Sequence, residues 1–180
     1  MKQRNIWALP VALGAGALAA VGLALGSGSG KSEYVASAVA NPLYKEECGS
    51  CHLAYSPALL PAPSWGRIMD GLDDHFGEDA ELDAATATQI RTYLGDNAAD
   101  SKRGKRAVKI AHAATNEDAP LRITETAYFL RKHDEVPQRL VFDNPEVGGF
   151  SQCESCHRGA DAGRFDDDDV NIPGYGRWDD

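Results

Sequence analysis

The chain has 180 residues, 43% of them apolar, and a formal net charge of −9. That length suits one domain or two very small ones, and the apolar content is enough for a folded core. The acidic balance excludes nucleic acid as an expected partner.

Met1-Lys2-Gln3-Arg4-Asn5 is a short basic leader, and residues 6–26 then run 21 positions without a charge, rich in Ala, Leu, Val and Gly. Ser27-Gly28-Ser29-Gly30 has the composition of a flexible linker. The pattern predicts an exported chain whose residues 1–30 are a signal peptide or an N-terminal membrane anchor. As a signal, cleavage follows Ala24-Leu25-Gly26, or Ala38-Val39-Ala40, which sits farther from the apolar run. As an anchor, the run is just long enough to span a bilayer, and its Ala and Gly make insertion weak. Membrane contact is expected only if this segment stays uncleaved. Without residues 1–30 the chain loses Lys2 and Arg4 and no acid, which leaves 16 basic and 27 acidic residues, a net charge of −11.

Residues 31–43 read as a linker before a single domain over 44–180. Tyr44-Lys45-Glu46-Glu47 predicts a short helix running into Cys48-Gly49-Ser50-Cys51-His52. That is C-x-x-C-H, and it returns as Cys153-Glu154-Ser155-Cys156-His157. Two thiols three positions apart reach the two vinyl groups of one haem and form thioethers, and the adjacent His supplies an iron ligand. The two motifs use all four Cys of the chain, so none remains for a disulfide or a separate metal site. A redox dithiol expects a βαβ context, and zinc expects two pairs close in space with no need for a His after each. The motifs therefore point to two covalent haem c groups, on Cys48, Cys51, Cys153 and Cys156, with His52 and His157 as proximal ligands. Covalent haem of this kind is assembled outside the bacterial cytoplasm, in agreement with export to the periplasm.

After the first motif, Pro57, Pro61 and Pro63 bar a regular helix, and Leu59-Leu60 makes the loop apolar enough to line a haem edge. Ser64 is a good N-cap for a helix whose stripe is Trp65, Ile68, Met69, Leu72 and Phe76, with Gly77 as its stop. His75 shares the buried face of Ile68 and Leu72. A second helix runs from Asp83, as cap, to Gly95, with Ala87, Ile90, Tyr93 and Leu94 as its stripe. Residues 102–109 are a basic run, read as a solvated face, with a docking patch or cations beside haem propionates as the sharper alternative. His112 follows it. Thr124 caps a third helix with Thr126, Phe129, Leu130 and His133 on one face, and Pro137 stops it. Residues 138–150 read as a loop. The acidic end reads as a solvated tail, without strands and without the spaced ligands of a calcium loop.

Each iron needs a sixth ligand. Of the five His, only His75, His112 and His133 remain after the motif pair, and Met69 is the only Met beyond the leader. His75 and His133 lie on apolar faces near helix ends, so bis-His ligation through these two is the simplest assignment. His112 and Met69 are the alternatives. No His or Met follows His157, so its partner must come from upstream. The chain then folds back, with residues 100–137 covering the second haem. The expected fold is mainly α, one compact dihaem unit of short helices and long loops wrapped around its cofactors.

Residues 47–55, Leu59-Leu60-Pro61-Ala62 with Ser64-Trp65, His75-Phe76-Gly77, Arg122-Ile123-Thr124 with His133, and residues 153–159 form an ordered set. That set resembles the dihaem cytochrome c (DHC) family of bacterial periplasmic electron-transfer proteins, over about residues 44–174. The resemblance implies two bis-His haems in a carrier, not an enzyme, relaying single electrons between a membrane donor and a haem-protein acceptor. It also implies redox partners, either a small oxygen-binding monohaem cytochrome or a b561-type membrane cytochrome. The basic run and His112 are not part of the resemblance. The alternative is a dihaem enzyme or gas-binding protein, peroxidase-like, with one open haem. Imidazole on both sides of each iron, in an acidic surround, predicts potentials below those of His/Met cytochromes.

Overall fold

Asn41 opens the ordered architecture: its Oδ1 accepts the Tyr44 N–H at 3.0 Å, and Pro42 begins helix α1, Pro42–Cys48. The computed structural model describes residues 38–101 and 119–178. The helix starts two positions inside the stretch expected to be linker, and Val39 already packs against the core. Pro at the first helical position costs nothing there, because its missing N–H would have had no intrahelical partner.

The proline-rich stretch divides in two. Pro57–Leu59 is a single 3-10 turn, and α2 follows directly as Ala62–Asp70. Pro63 is tolerated because it falls in the first turn. Ser64 is therefore inside α2, not its cap, and it is fully buried, its Oγ without a hydrogen-bond partner among the described residues. The helix also stops earlier than its apolar spacing predicts. It ends at Gly71, and Leu72–Asp74 makes one 3-10 turn. Local bonds win over helix here: Asp74 Oδ1 accepts the Gly77 N–H at 3.1 Å, and Ala80 N–H reaches back to the Leu72 carbonyl at 2.8 Å. Phe76, expected on the buried stripe, is 45% exposed.

Helix α3, Ala84–Asn97, follows its sequence signals closely. Asp83 Oδ1 accepts from the N–H groups of Ala85 and Thr86, and the helix runs two residues past Gly95. Ile90 and Leu94 are its buried anchors. They meet Trp65 and Met69 of α2, Tyr44 of α1, Leu60 and Ala98 in the first core. Trp65 Nε1 donates to the Pro57 carbonyl at 2.8 Å, so its polar end is satisfied inside that core.

Beyond residue 119 helices are short. Ile123–Glu125 is a 3-10 turn, and α4 is Ala127–Lys132. Its cap is Thr126 rather than Thr124: Thr126 Oγ1 accepts the Phe129 N–H at 3.1 Å. With so few residues the helix buries Tyr128, and Leu130 is left 56% exposed instead of sharing an apolar face. Gln138–Leu140 is another 3-10 turn, and α5 is Cys153–Cys156.

The C-terminal stretch is not a solvated tail. Strands β1, Asn171–Ile172, and β2, Gly176–Arg177, pair antiparallel with Asn171 opposite Arg177 and Ile172 opposite Gly176. Ile172 is fully buried, Val170 bridges to His157, and Asp167 takes a 3.0 Å ion pair from Lys132. The hairpin signal, Val170 and Ile172 alternating ahead of Pro173-Gly174, is too short to stand out beside the acidic run.

The second buried cluster is small: Leu59, Ala99 and Tyr128. Tyr55 and Ile123 pack against both clusters. The chain divides into two units, Met1–Lys31 and Ser32–Asp180. Among the described residues no helix is long and apolar enough to cross a membrane. The apolar run of residues 6–26, the basic run of 102–109 and His112 lie outside the described residues.

Candidate functional site

The first site is built at the end of α1. Cys48 is its last residue, and Gly49 caps it by donating to the Lys45 carbonyl. A Cβ at position 49 would collide with that same carbonyl, so the turn that sets Cys48 and Cys51 apart needs glycine. His52 follows at once. Its Nδ1 donates to the Leu53 carbonyl at 2.7 Å, which leaves Nε2 with its lone pair for a metal.

Opposite it stands His75, held in a tight turn rather than on a helix. Its backbone bridges to Glu78 in both directions, and the turn is completed by left-handed Phe76 (φ 58°) and Gly77 (φ 102°). A non-glycine residue in that region stores of order 1–2 kcal/mol of strain. The Phe76 ring abuts His75 edge-on at 4.8 Å, and the Arg122 guanidinium covers Phe76 at 4.0 Å. The His52 and His75 rings end 6.3 Å apart, centre to centre, with planes 20° from parallel.

The second site repeats the arrangement with different parts. His133 closes the C-terminus of α4, its Nδ1 donating to the Phe129 carbonyl at 3.0 Å and its ring stacked on Phe129 at 3.9 Å. His157 closes α5 just after Cys156, and its backbone is pinned to Val170. The two rings lie 6.1 Å apart with planes 76° apart. Between and around them is a cleft of about 1130 Å³, open mouth included, walled by Leu59, Tyr128, Phe129, Val141, Phe150 and Phe165, with Cys153 and Cys156 on its lining. Its walls are apolar, as those of cofactor sites are. His157 Nδ1 is buried in this setting with no hydrogen-bond partner among the described residues.

An iron–nitrogen bond of about 2 Å on each side, plus about 1.1 Å from ring nitrogen to ring centre, puts two axial imidazoles roughly 6.2 Å apart across one iron. Both observed spacings fit that figure. The four thiols are free, with no disulfide among them. Burial, with neighbouring acids, pushes the Cys48 thiol up to about 11 and Cys153 up to about 12.

The proton affinities of three imidazoles are shifted one way. Burial, with His133 beside it, lowers His157 to about 4. Burial also lowers His133, against the opposing pull of its bond to Phe129 and of Asp167. Burial, then His52 and Arg122, lowers His75. All three sites favour the neutral ring, which is the form that binds a metal.

All four predicted histidines are thus brought together, pairwise, as His52 with His75 and His133 with His157. Met69 is buried in the first core. Contributions that sequence alone did not reveal come from far along the chain. Val170, Ile172 and Trp178 of the C-terminal hairpin line the second cleft. Nearer by, Tyr55 stacks on His52 at 5.0 Å.

Short helices, long loops and two imidazole pairs beside two C-x-x-C-H motifs define a small c-type cytochrome with two haem sites. The chain belongs to the dihaem cytochrome c (DHC) family, whose model matches residues 44–165. Solved relatives agree. A diheme cytochrome c from Shewanella baltica is 47% identical, covering 77% of this chain and 98% of its own, with a TM-score of 0.64. A diheme cytochrome c from Rhodobacter sphaeroides is 46% identical over 72% of this chain and 100% of its own, also at 0.64. No curated protein matches. The cofactors are two haem c groups, for which Cys48 with Cys51 and Cys153 with Cys156 provide the attachment thiols, and the family implies haem-based electron transfer.

Proposed function

We propose that His52 with His75, and His133 with His157, each clamp one haem iron from both sides, and that the protein relays single electrons in the periplasm. The observation that carries this reading is the pair of ring spacings, 6.3 and 6.1 Å. Haem iron, when bound, supplies a one-electron Fe(III)/Fe(II) couple. The chain's part is to fill both axial positions, which leaves no place for substrate and keeps the coordination the same in both oxidation states. A membrane donor, and a haem-protein acceptor such as a small oxygen-binding cytochrome, remain the proposed partners, by family likeness. A b561-type membrane cytochrome is the corresponding proposal for the donor side.

The test combines a redox titration with EPR of the oxidised protein. Both potentials should fall below those of His/Met cytochromes. The two low-spin signals should also differ. Near-parallel imidazole planes split the iron orbitals strongly, while crossed planes leave two of them close in energy. The 20° pair should give an ordinary rhombic signal and the 76° pair a strongly anisotropic one with a large maximum g value. A high-spin signal from either site in the intact protein would refute the reading.

Acid supplies an independent check. His157 is lowered to about 4 in the folded chain, below the ordinary imidazole value of about 6.5. The unfolded chain therefore binds that proton more tightly. The stability due to the neutral ring is complete above about pH 6.5 and is lost as pH falls toward about 4. Iron bound to the ring competes further with the proton. The low-spin visible spectrum should stay constant as pH drops from neutrality through about 5, and change only near or below about 4. A spectral transition centred on the ordinary imidazole value would contradict it.

A further inference from the structure

We propose that Tyr55 is the link through which the two haem sites exchange electrons. The inference rests on the two-haem carrier reading above and adds a route to it.

The Tyr55 ring lies against the His52 ring, centroids 5.0 Å apart and planes 28° from parallel. Its hydroxyl donates at 2.8 Å to the Ser151 carbonyl, 96 positions downstream. Ser151 stands two residues before Cys153, and Cys153 Sγ lies 3.7 Å from that same carbonyl oxygen. A short path therefore joins an axial imidazole of the first site to an attachment sulfur of the second. It consists of one ring stack, one phenol, one hydrogen bond, and then either the 151–153 backbone or the sulfur–oxygen contact. Electronic coupling falls off far more slowly through bonds than across gaps, and this path crosses only one ring contact and one hydrogen bond between the two sites.

The residue is also held in place for this work. Its own carbonyl accepts the hydroxyl of buried Tyr44 at 2.8 Å, and its ring packs against both buried clusters. The step is a simple exchange. One electron leaves one iron, which is oxidised from Fe(II) to Fe(III), and enters the other, which is reduced from Fe(III) to Fe(II). Tyr55 keeps its proton and is neither oxidised nor reduced.

The test uses the intact dihaem protein, wild type beside Tyr55→Phe and Tyr55→Leu. The internal exchange rate is read from the haem-methyl NMR lines of the half-reduced protein. EPR spectra and both midpoint potentials are recorded on the same samples. Tyr55→Phe keeps the stack and removes the hydrogen bond, and should slow exchange several-fold at equal driving force. Tyr55→Leu removes both and should slow it more, with both low-spin signals retained in each variant. Equal rates in all three proteins, with the low-spin signals intact, would overturn the proposal and leave the carrier function standing. Loss of a low-spin signal in Tyr55→Phe would overturn it too, by making the residue a support for His52 instead of a link. A wild type with an open iron would instead strike at the carrier reading itself.

Discussion

His75→Ala and His133→Ala are each expected to turn one haem from low-spin to high-spin and open it to carbon monoxide, leaving the other haem as it was. In the proposed ligation the effect is all-or-none at one iron, because each imidazole pair would hold one cofactor and the two pairs have no ring in common. The two variants should differ in what fills the gap. His75 sits in an exposed turn beside Asp73, Asp74 and Glu78, where water reaches the vacated position. His133 is stacked on Phe129 and met edge-on by Phe150 in an apolar cleft, where a water would find few partners. A six-coordinate aquo spectrum is expected for the first and a five-coordinate one for the second. His112→Ala should leave all spectra unchanged, since the two pairs already account for the other four of five histidines. Optical, EPR and carbon monoxide difference spectra decide the matter. Retention of two low-spin signals in either His75→Ala or His133→Ala would mean that the observed pairing is not the ligation.

The second large effect concerns folding. Removing the second attachment motif, by Cys153→Ala, Cys156→Ala and His157→Ala together, is expected to unfold residues 119–178 while the first haem and residues 38–101 stay ordered. The two halves differ in what they bury. The first has a core of seven buried residues, five of them on three packed helices, with Ile90, Leu94 and Leu60 sealed inside. The second contributes Tyr128 to a small buried cluster whose other members, Leu59 and Ala99, belong to the first half. Its other buried apolar residues, Val141, Val147, Ala160 and Ile172 among them, are scattered over short turns and the C-terminal hairpin, and its longest helix has 6 residues. Helices shorter than about 12 residues are marginal on their own and depend on tertiary packing. Apolar side chains of that half, Phe129, Val141, Phe150 and Phe165 among them, line the second cleft. A cofactor held there would be part of what they pack against, and without it local unfolding should become easy. Limited proteolysis and hydrogen exchange should show protection lost across 119–178 and kept across 38–101. Protection retained in both halves would show that the second half carries a sufficient core of its own.

Much of the site was legible because its chemistry is local. A C-x-x-C-H motif needs only five consecutive residues, so the number of haems and their attachment points could be read directly. Asp83 as a cap and Ile90 with Leu94 as a stripe are likewise decided within one or two turns of helix. Elimination among few candidates pointed to His75 and His133, and each ring lies opposite a motif histidine. The reasons given for them fared less well. Neither is a residue on a continuing helix face: His75 is in a turn closed by Asp74 through its bond to Gly77, and His133 ends a helix capped two residues later than expected.

By itself, then, the sequence determined the cofactor class, the attachment residues, the family and the best-formed helix. Tertiary structure decided which histidines face each other and at what angle. It also decided that Leu59 turns toward the second cleft while Leu60 enters the first core, and that an acidic C-terminus returns as a hairpin beside His157. It alone joined Tyr55 to Ser151 across 96 positions. The physical reason is range. Capping, periodicity and motif chemistry act over a few residues, whereas the packing that surrounds a large planar cofactor is assembled from segments far apart in the chain, none of which carries a local signal for it.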